Sequence, residues 1–317
     1  MPTILFSAPY MLSCLDRFRP VLERYGLDLI TPEVHERLDE ADLLKYAGQF
    51  DGALCGDDFY SARVLSACVP RLKVISKWGT GIDSIDSAAC QRLGVKLCRT
   101  PNAFTLPVAD SVMGYLLAFA RCQPWMDRGM KAGVWKKFPG KALHECTLGV
   151  IGVGTIGKTV IRRARAFGMK LLGNDIVAID HVFIAETGLE MTTLDDLLAR
   201  ADFVSLNCDL NPTSRNLINA RALGLMRSNA ILVNTARGPI VDEKALAEVL
   251  KMGTIGGAAL DVFEAEPLPA DSPLKQLDNV MLAPHNANSS PAAWERVNWN
   301  TIKNLVEGLG MTFQGVE

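Results

Sequence analysis

The chain has 317 residues, 49% of them hydrophobic and 21% charged, with a formal net charge of −2 and a pI near 6.1. That length suits two domains of about 150 residues, and the charge balance lacks the basic footprint of a nucleic-acid binder. Eight scattered cysteines without a C-x-x-C pair point to reduced core residues, and the lack of a basic leader or of an apolar run of about 18 residues points to a cytoplasmic protein with no membrane partner.

Short apolar strands alternate with helical stretches at residues 3–8, 27–30, 52–54, 72–76 and 95–98. This alternation predicts a parallel α/β sheet. The turn Gly79-Thr80-Gly81 follows the fourth of these strands, where backbone N–H groups can form an anion-holding nest or simply a tight turn. Residues 100–107, which carry two prolines, read as a hinge that ends the first domain. An apolar helix is expected over 108–121, with Pro107 in its first turn.

The stretch Thr147-Leu-Gly-Val-Ile-Gly-Val-Gly-Thr-Ile-Gly157 reads as a buried strand, a glycine turn and the start of a helix. Gly152 permits the turn, Gly154 lets backbone approach a pyrophosphate, and Gly157 lets the helix pack on the strand. Thr155 and Ile156 open the helix, whose free N–H groups favour an anion. Such a motif alone is as readily a packing turn as a nucleotide site. Here the apolar spacing changes after Ile156 to Val160, Ile161, Ala164 and Phe167, one helix face. A second strand then ends at Asp175, about 20 residues downstream, where a carboxylate can bind ribose hydroxyls. Its charge would repel a 2′-phosphate, and no arginine lies in residues 174–180, so NAD is preferred to NADP.

Further strands are expected at 171–174, 203–207, 230–234, 258–262 and 280–283, a second α/β unit. Asn207, Ala236, Arg237, Asp261 and His285 all fall at or just after strand ends, the edge where open α/β sheets bind ligands. Taken by itself Arg237 would be an ordinary solvated arginine. Residues 289–310 read as an amphipathic helix that returns to the N-terminal domain. His35, His144 and His181 lie outside any motif, and their scatter suggests no metal site.

Four segments carry a resemblance: Lys77-Trp-Gly-Thr-Gly-Ile-Asp-Ser-Ile-Asp86, the glycine fingerprint, Asn234-Thr-Ala-Arg-Gly-Pro-Ile-Val-Asp242, and Leu260-Asp-Val-Phe-Glu-Ala-Glu-Pro267 with Ala283-Pro-His285. Through them the chain resembles the NAD-dependent D-2-hydroxyacid dehydrogenases, including phosphoglycerate dehydrogenase, over essentially its whole length. The resemblance implies two doubly wound parallel-sheet domains. A Rossmann NAD-binding domain (101–286) would be inserted into a flavodoxin-like substrate domain (1–100 and 287–317), with the pocket in the cleft between them. It implies that Arg237 binds the substrate carboxylate and polarises the 2-keto oxygen, a role suited to a rigid two-pronged cation. It makes His285 the acid/base, Glu266 the partner that favours its protonated form, and Asp261 the acceptor for the nicotinamide carboxamide. Thr80 and Gly81 would supply the second carboxylate contact. Trp135 matches a tryptophan on an arm that joins two subunits in relatives, so a homodimer is expected.

Several positions depart from that pattern. Asn207-Cys-Asp209 replaces the usual histidine, variable residue and proline, and Asn286-Ala-Asn288-Ser289-Ser290 replaces a glycine-richer loop. Asn286 and Asn288 would make polar contacts or Asx turns. The loop Cys55-Gly-Asp-Asp58 carries two carboxylates where phosphate-binding relatives place basic residues, with Lys77 either compensating or a solvated strand end. The expected reaction interconverts a small D-2-hydroxyacid and its 2-oxoacid, of the hydroxypyruvate, glyoxylate or phosphoglycerate kind. The alternatives are a nucleotide-sensing corepressor of the same superfamily and a formate- or phosphite-type dehydrogenase.

Overall fold

A computed structural model describes residues 1–315 of the chain. It divides into two compact units: Met1–Phe104 with the chain from Ser290 onward, and Thr105–Ser289. These boundaries fall a few residues beyond the expected 100/101 and 286/287. Phe104 stacks near Trp78 in the first unit, whereas Thr105 already begins a helix of the second.

The first unit holds a five-stranded parallel sheet of β1 (Thr3–Phe6), β2 (Asp28–Ile30), β3 (Gly52–Cys55), β4 (Val74–Lys77) and β5 (Lys96–Cys98), in the order β2-β1-β3-β4-β5. Strands β3 and β4 are buried throughout, as parallel strands covered on both faces must be. Phe50, Ala53, Tyr60, Leu65 and Ile75 form part of one core. The C-terminal helix Pro291–Gly308 packs against β3, β4 and β5. Ser290 caps it, accepting the Ala293 N–H at 3.4 Å. A Cβ on Gly308 would lie 2.3 Å from Val74 Cγ2, so only glycine allows the approach.

The second unit holds β6 (Thr147–Ile151), β7 (Lys170–Asn174), β8 (Glu190–Met191), β9 (Phe203–Leu206), β10 (Ile231–Asn234), β11 (Gly257–Leu260) and β12 (Val280–Leu282). All pair in parallel, in the order β12-β11-β10-β9-β6-β7-β8. Alternation along β6 sends Leu148 and Val150 into one core and Ile151 into the other. The strand order reverses between β6 and β9, the switch point where open sheets of this kind bind ligands. The helix Thr105–Ala120 begins three residues earlier than expected, because Pro107 lies within the first turn, where its missing N–H has no helical partner to lose. A second helix, Gln123–Lys131, follows, and then an exposed arm in which Trp135 is 86% exposed.

All eight cysteines are free thiols; Cys55, Cys68, Cys90 and Cys146 are buried. Among the described residues no helix is long and apolar enough to cross a membrane.

Candidate active site

Strand β6 delivers the glycine turn to the switch point. Gly152 has φ +87°, and a Cβ there would lie 2.5 Å from the Cys208 nitrogen beyond β9. A Cβ on Gly157 would lie 2.1 Å from the Gly152 carbonyl oxygen. Gly154 caps the helix Thr155–Ala166, and a Cβ on it would meet nothing within 4 Å. Two glycines therefore serve protein packing, and the third faces open space at a helix N-terminus. Asp175, just past β7, reaches back to this turn: its Oδ2 accepts the Val153 N–H at 2.6 Å and its Oδ1 accepts the Val177 N–H at 3.0 Å.

The ends of β10, β11 and β12, neighbours in the sheet, carry Arg237, Asp261 and His285. Buried Asn234 braces the arginine turn from both sides. Its Oδ1 accepts the Ala236 N–H at 3.0 Å, and its Nδ2 donates to the Arg237 carbonyl at 2.9 Å. The half-buried Arg237 guanidinium donates to the Ala236 carbonyl at 2.8 Å. Gly238 is obligatory, since a Cβ there would sit 1.9 Å from the Phe263 carbonyl. Neither Asn234 nor Gly238 stood out in the sequence as a brace, because the need for each arises from backbone brought close by folding.

His285 Nδ1 lies 3.0 Å from Glu266 Oε2, with both side chains about four-fifths buried, while Glu266 Oε1 accepts the Phe263 N–H at 2.9 Å. Glu264 turns elsewhere: its Oε1 accepts the Glu243 N–H at 3.2 Å, and its own N–H donates to Glu243 Oε2 at 3.1 Å. The Asp261 carboxylate, 1% exposed, accepts the Asn286 N–H at 2.8 Å on Oδ1 and the Ala287 N–H at 2.9 Å on Oδ2, and its carbonyl accepts the His285 N–H at 2.8 Å. Burial raises the Asp261 pKa, opposed by those two N–H bonds. One aspartate thus organises the loop that carries the histidine. This was not legible in the sequence, which showed only its position at a strand end.

In the first unit, Gly79 has φ +108° and opens the turn. The Thr80 hydroxyl donates to the Thr100 carbonyl at 2.8 Å, so any contribution of Thr80 and Gly81 to a carboxylate must come from their backbone N–H groups. Lys77 is not a solvated strand end: it is buried, 3.1 Å from Asp57. Asp58 is equally buried. It accepts the Leu38 N–H at 2.7 Å and a hydrogen bond from the Ser7 hydroxyl, and burial pushes its carboxyl up to about 6. Of the two carboxylates in that loop, therefore, only Asp57 reaches the surface. Tyr10, Trp78, Phe104 and Trp294 cluster nearby, with ring centroids 4.9–6.1 Å apart. His35, His144 and His181 are exposed.

A dinucleotide fits this chemistry. Besides the open space at Gly154, Asn207 Oδ1 and Thr235 Oγ1, past the adjacent strands β9 and β10, are among the buried side-chain polar atoms without a hydrogen-bond partner, as are the Tyr60, Ser84 and Ser272 hydroxyls elsewhere, and a ligand at this edge would satisfy the first two. Thr235 carried no signal in the sequence beyond its place beside Asn234. Asp209, unusual on the page of sequence, is exposed, and its carbonyl accepts the Ser214 hydroxyl at 2.6 Å.

A glycine turn at the switch point of a doubly wound sheet, with a histidine–carboxylate pair at the same edge, defines a dinucleotide-dependent oxidoreductase. Residues 113–287 match the family described as D-isomer specific 2-hydroxyacid dehydrogenase, NAD binding domain. The chain is 45% identical to a D-3-phosphoglycerate dehydrogenase of Methanocaldococcus jannaschii over 70% of its own length, but spans only 43% of that longer protein. It is 38% identical to a glyoxylate reductase of Thermofilum pendens, over 86% of this chain and 84% of that one. The structure of a D-lactate dehydrogenase from Aquifex aeolicus complexed with NAD and lactic acid superposes with a TM-score of 0.84 at 28% identity, covering 99% of this chain and 100% of that one. The chain belongs to the D-isomer specific 2-hydroxyacid dehydrogenase family. It is an NAD-dependent oxidoreductase acting on a CH–OH group.

Proposed function

We propose that the enzyme interconverts a small D-2-hydroxyacid and its 2-oxoacid through the residues grouped at the ends of β10, β11 and β12. The observation that carries this reading is the 3.0 Å contact between His285 Nδ1 and Glu266. With Nδ1 turned to a carboxylate, Nε2 is the nitrogen that gives a proton to the keto oxygen in reduction and takes it back in oxidation. Arg237 holds the substrate carboxylate and polarises the C2 carbonyl, and the Thr80 and Gly81 N–H groups add a second carboxylate contact. Gly154, Thr155 and Ile156 hold the pyrophosphate of NAD on a turn that Gly152 and Gly157 shape, Asp175 holds its adenosine ribose, and Asn207, Ala236 and Asp261 its remaining polar groups. When bound, NAD supplies the hydride acceptor, and NADH the donor.

The test follows loss of NADH absorbance with glyoxylate, hydroxypyruvate, phosphohydroxypyruvate and bulkier branched 2-oxoacids, beside a His285→Ala control. Turnover of at least one acid that collapses in the control is expected. Tight NADH binding with no acid reduced would overturn the reading. The protein works in the cytoplasm as a homodimer joined through the arm around Trp135, whose ring is too exposed to serve a monomer's core. Light scattering should give twice the chain mass for the native protein and a smaller mass for Trp135→Ser.

A further inference from the structure

The relatives bear names that imply two kinds of acid, phosphorylated and unphosphorylated. The carboxyl edge of the first unit's sheet carries the charges that bear on this difference. Its strand order reverses between β1 and β3, which puts the ligand-binding crevice of such a sheet at the loops after those strands. Tyr10 follows β1, Asp57 follows β3, and Lys77 closes β4 immediately before the Gly79-Thr80-Gly81 turn. A Cβ on Gly79 would lie 3.8 Å from Lys77 Nζ, so the cation lies against the turn assigned above to the substrate carboxylate.

Lys77 is a buried cation whose charge is already matched. Its side chain is 4% exposed, its Nζ lies 3.1 Å from Asp57 Oδ1, and it donates to the Trp78 carbonyl at 2.8 Å. An ammonium has three donors, and two of them have these acceptors. Asp57, 38% exposed, presents the outward-facing negative charge of the pair. A phosphate dianion brought to this edge meets that carboxylate's repulsion or must displace it, whereas an uncharged hydroxyl, or no group at all, leaves the pair intact.

We infer that the Lys77–Asp57 pair is a specificity device: it admits 2-oxoacids whose C3 group is absent or uncharged and excludes those bearing a C3 phosphate. This rests on the 2-hydroxyacid reading above. Asp57 acts by repulsion, and removing its charge exposes Lys77 as a phosphate-binding cation.

The experiment compares kcat/KM for phosphohydroxypyruvate with kcat/KM for whichever unphosphorylated acid is reduced best. The proteins are the native enzyme, Asp57→Asn and the double variant Asp57→Asn/Lys77→Met; Asp57→Ser repeats the test should the asparagine protein not fold. The native enzyme should favour the unphosphorylated acid. Asp57→Asn should move the ratio toward the phosphorylated acid by at least about tenfold, and the double variant should lose that gain. A native preference for the phosphorylated acid, an unmoved ratio in Asp57→Asn, or a gain that survives loss of Lys77 would each overturn the inference while leaving the dehydrogenase reading in place. A native enzyme that reduces no acid takes both down.

Discussion

His285 stands in the left-handed backbone region, φ +50°, just after Pro284, and its N–H donates to the Asp261 carbonyl at 2.8 Å. Few non-glycine residues adopt that region, histidine among the more tolerant, so the backbone conformation and Glu266 together set the direction of the ring. Replacing His285 with alanine should lower kcat by about 10²–10⁴-fold and leave NADH affinity, measured by fluorescence titration, unchanged. Equal losses in both would make His285 a structural residue rather than a proton carrier. Asp175 has a double task of a different kind. Its carboxylate anchors the glycine turn through Val153, and in the function proposed above it also binds the adenosine ribose. Asp175→Ala removes the anchor and the charge together, whereas Asp175→Asn keeps one acceptor oxygen. Both variants should narrow the preference for NAD over NADP, and alanine should raise the KM for NAD more, by about tenfold, the value of one charge-assisted hydrogen bond. Coenzyme kinetics with NAD and NADP decide it: unchanged values in both variants would remove Asp175 from the cofactor site.

The loop between β12 and the C-terminal helix shows how an element can depend on one buried group. Asp261 spends both carboxylate oxygens on the N–H groups of Asn286 and Ala287, so Asp261→Asn would turn an amide NH2 toward one of those donors. Leaving a buried donor unmatched costs about 1–3 kcal/mol. Hydrogen exchange should therefore quicken in peptides covering residues 284–288 and kcat should fall, while peptides covering β6 stay protected; uniform exchange across the chain would refute a local role. The elements differ in how far they could be read beforehand. The glycine turn was legible because its constraint is local sterics: main-chain atoms crowd Gly152 and Gly157 so closely that only glycine fits. Arg237 and His285 could be placed at the sheet edge because each follows a strand with a clear apolar run. Strand β8 has no signature in the sequence, since two residues show no periodicity. The sequence leaves Lys77 open between a partner for the loop carboxylates and a solvated strand end, and gives no sign that Asp58 is buried, because their environments come from remote chain: Lys77 meets Asp57 across neighbouring strands, and Asp58 meets a serine 51 residues away.

At the scale of the whole molecule, the chain builds two parallel sheets, each presenting loops at its carboxyl edge, and the first of them stores a buried acid in those loops. Asp58 ties the loop after β3 to Ser7 after β1 and to Leu38, while burial, the largest influence on it, pushes its carboxyl from 3.8 up to about 6. The sign of the consequence is set by linkage: the folded protein holds this proton more tightly than the unfolded chain, so Asp58 contributes stability fully below pH 3.8 and loses it as the pH rises through about 6. A shift of that size corresponds to about 3 kcal/mol. Asp58→Asn keeps one acceptor and cannot ionise. Comparing the two proteins at each pH cancels every other carboxylate, so the variant should gain on the native protein between pH 4 and 7 by an amount approaching that figure. Calorimetric scans across this range would measure it, with the change expected in the transition of the first unit, since a chain of two units need not unfold in one step. A stability difference that stays flat from pH 4 to 7 would mean that Asp58 titrates as an ordinary carboxylate, and that the loops it joins are held by their hydrogen bonds without any contribution from the buried proton.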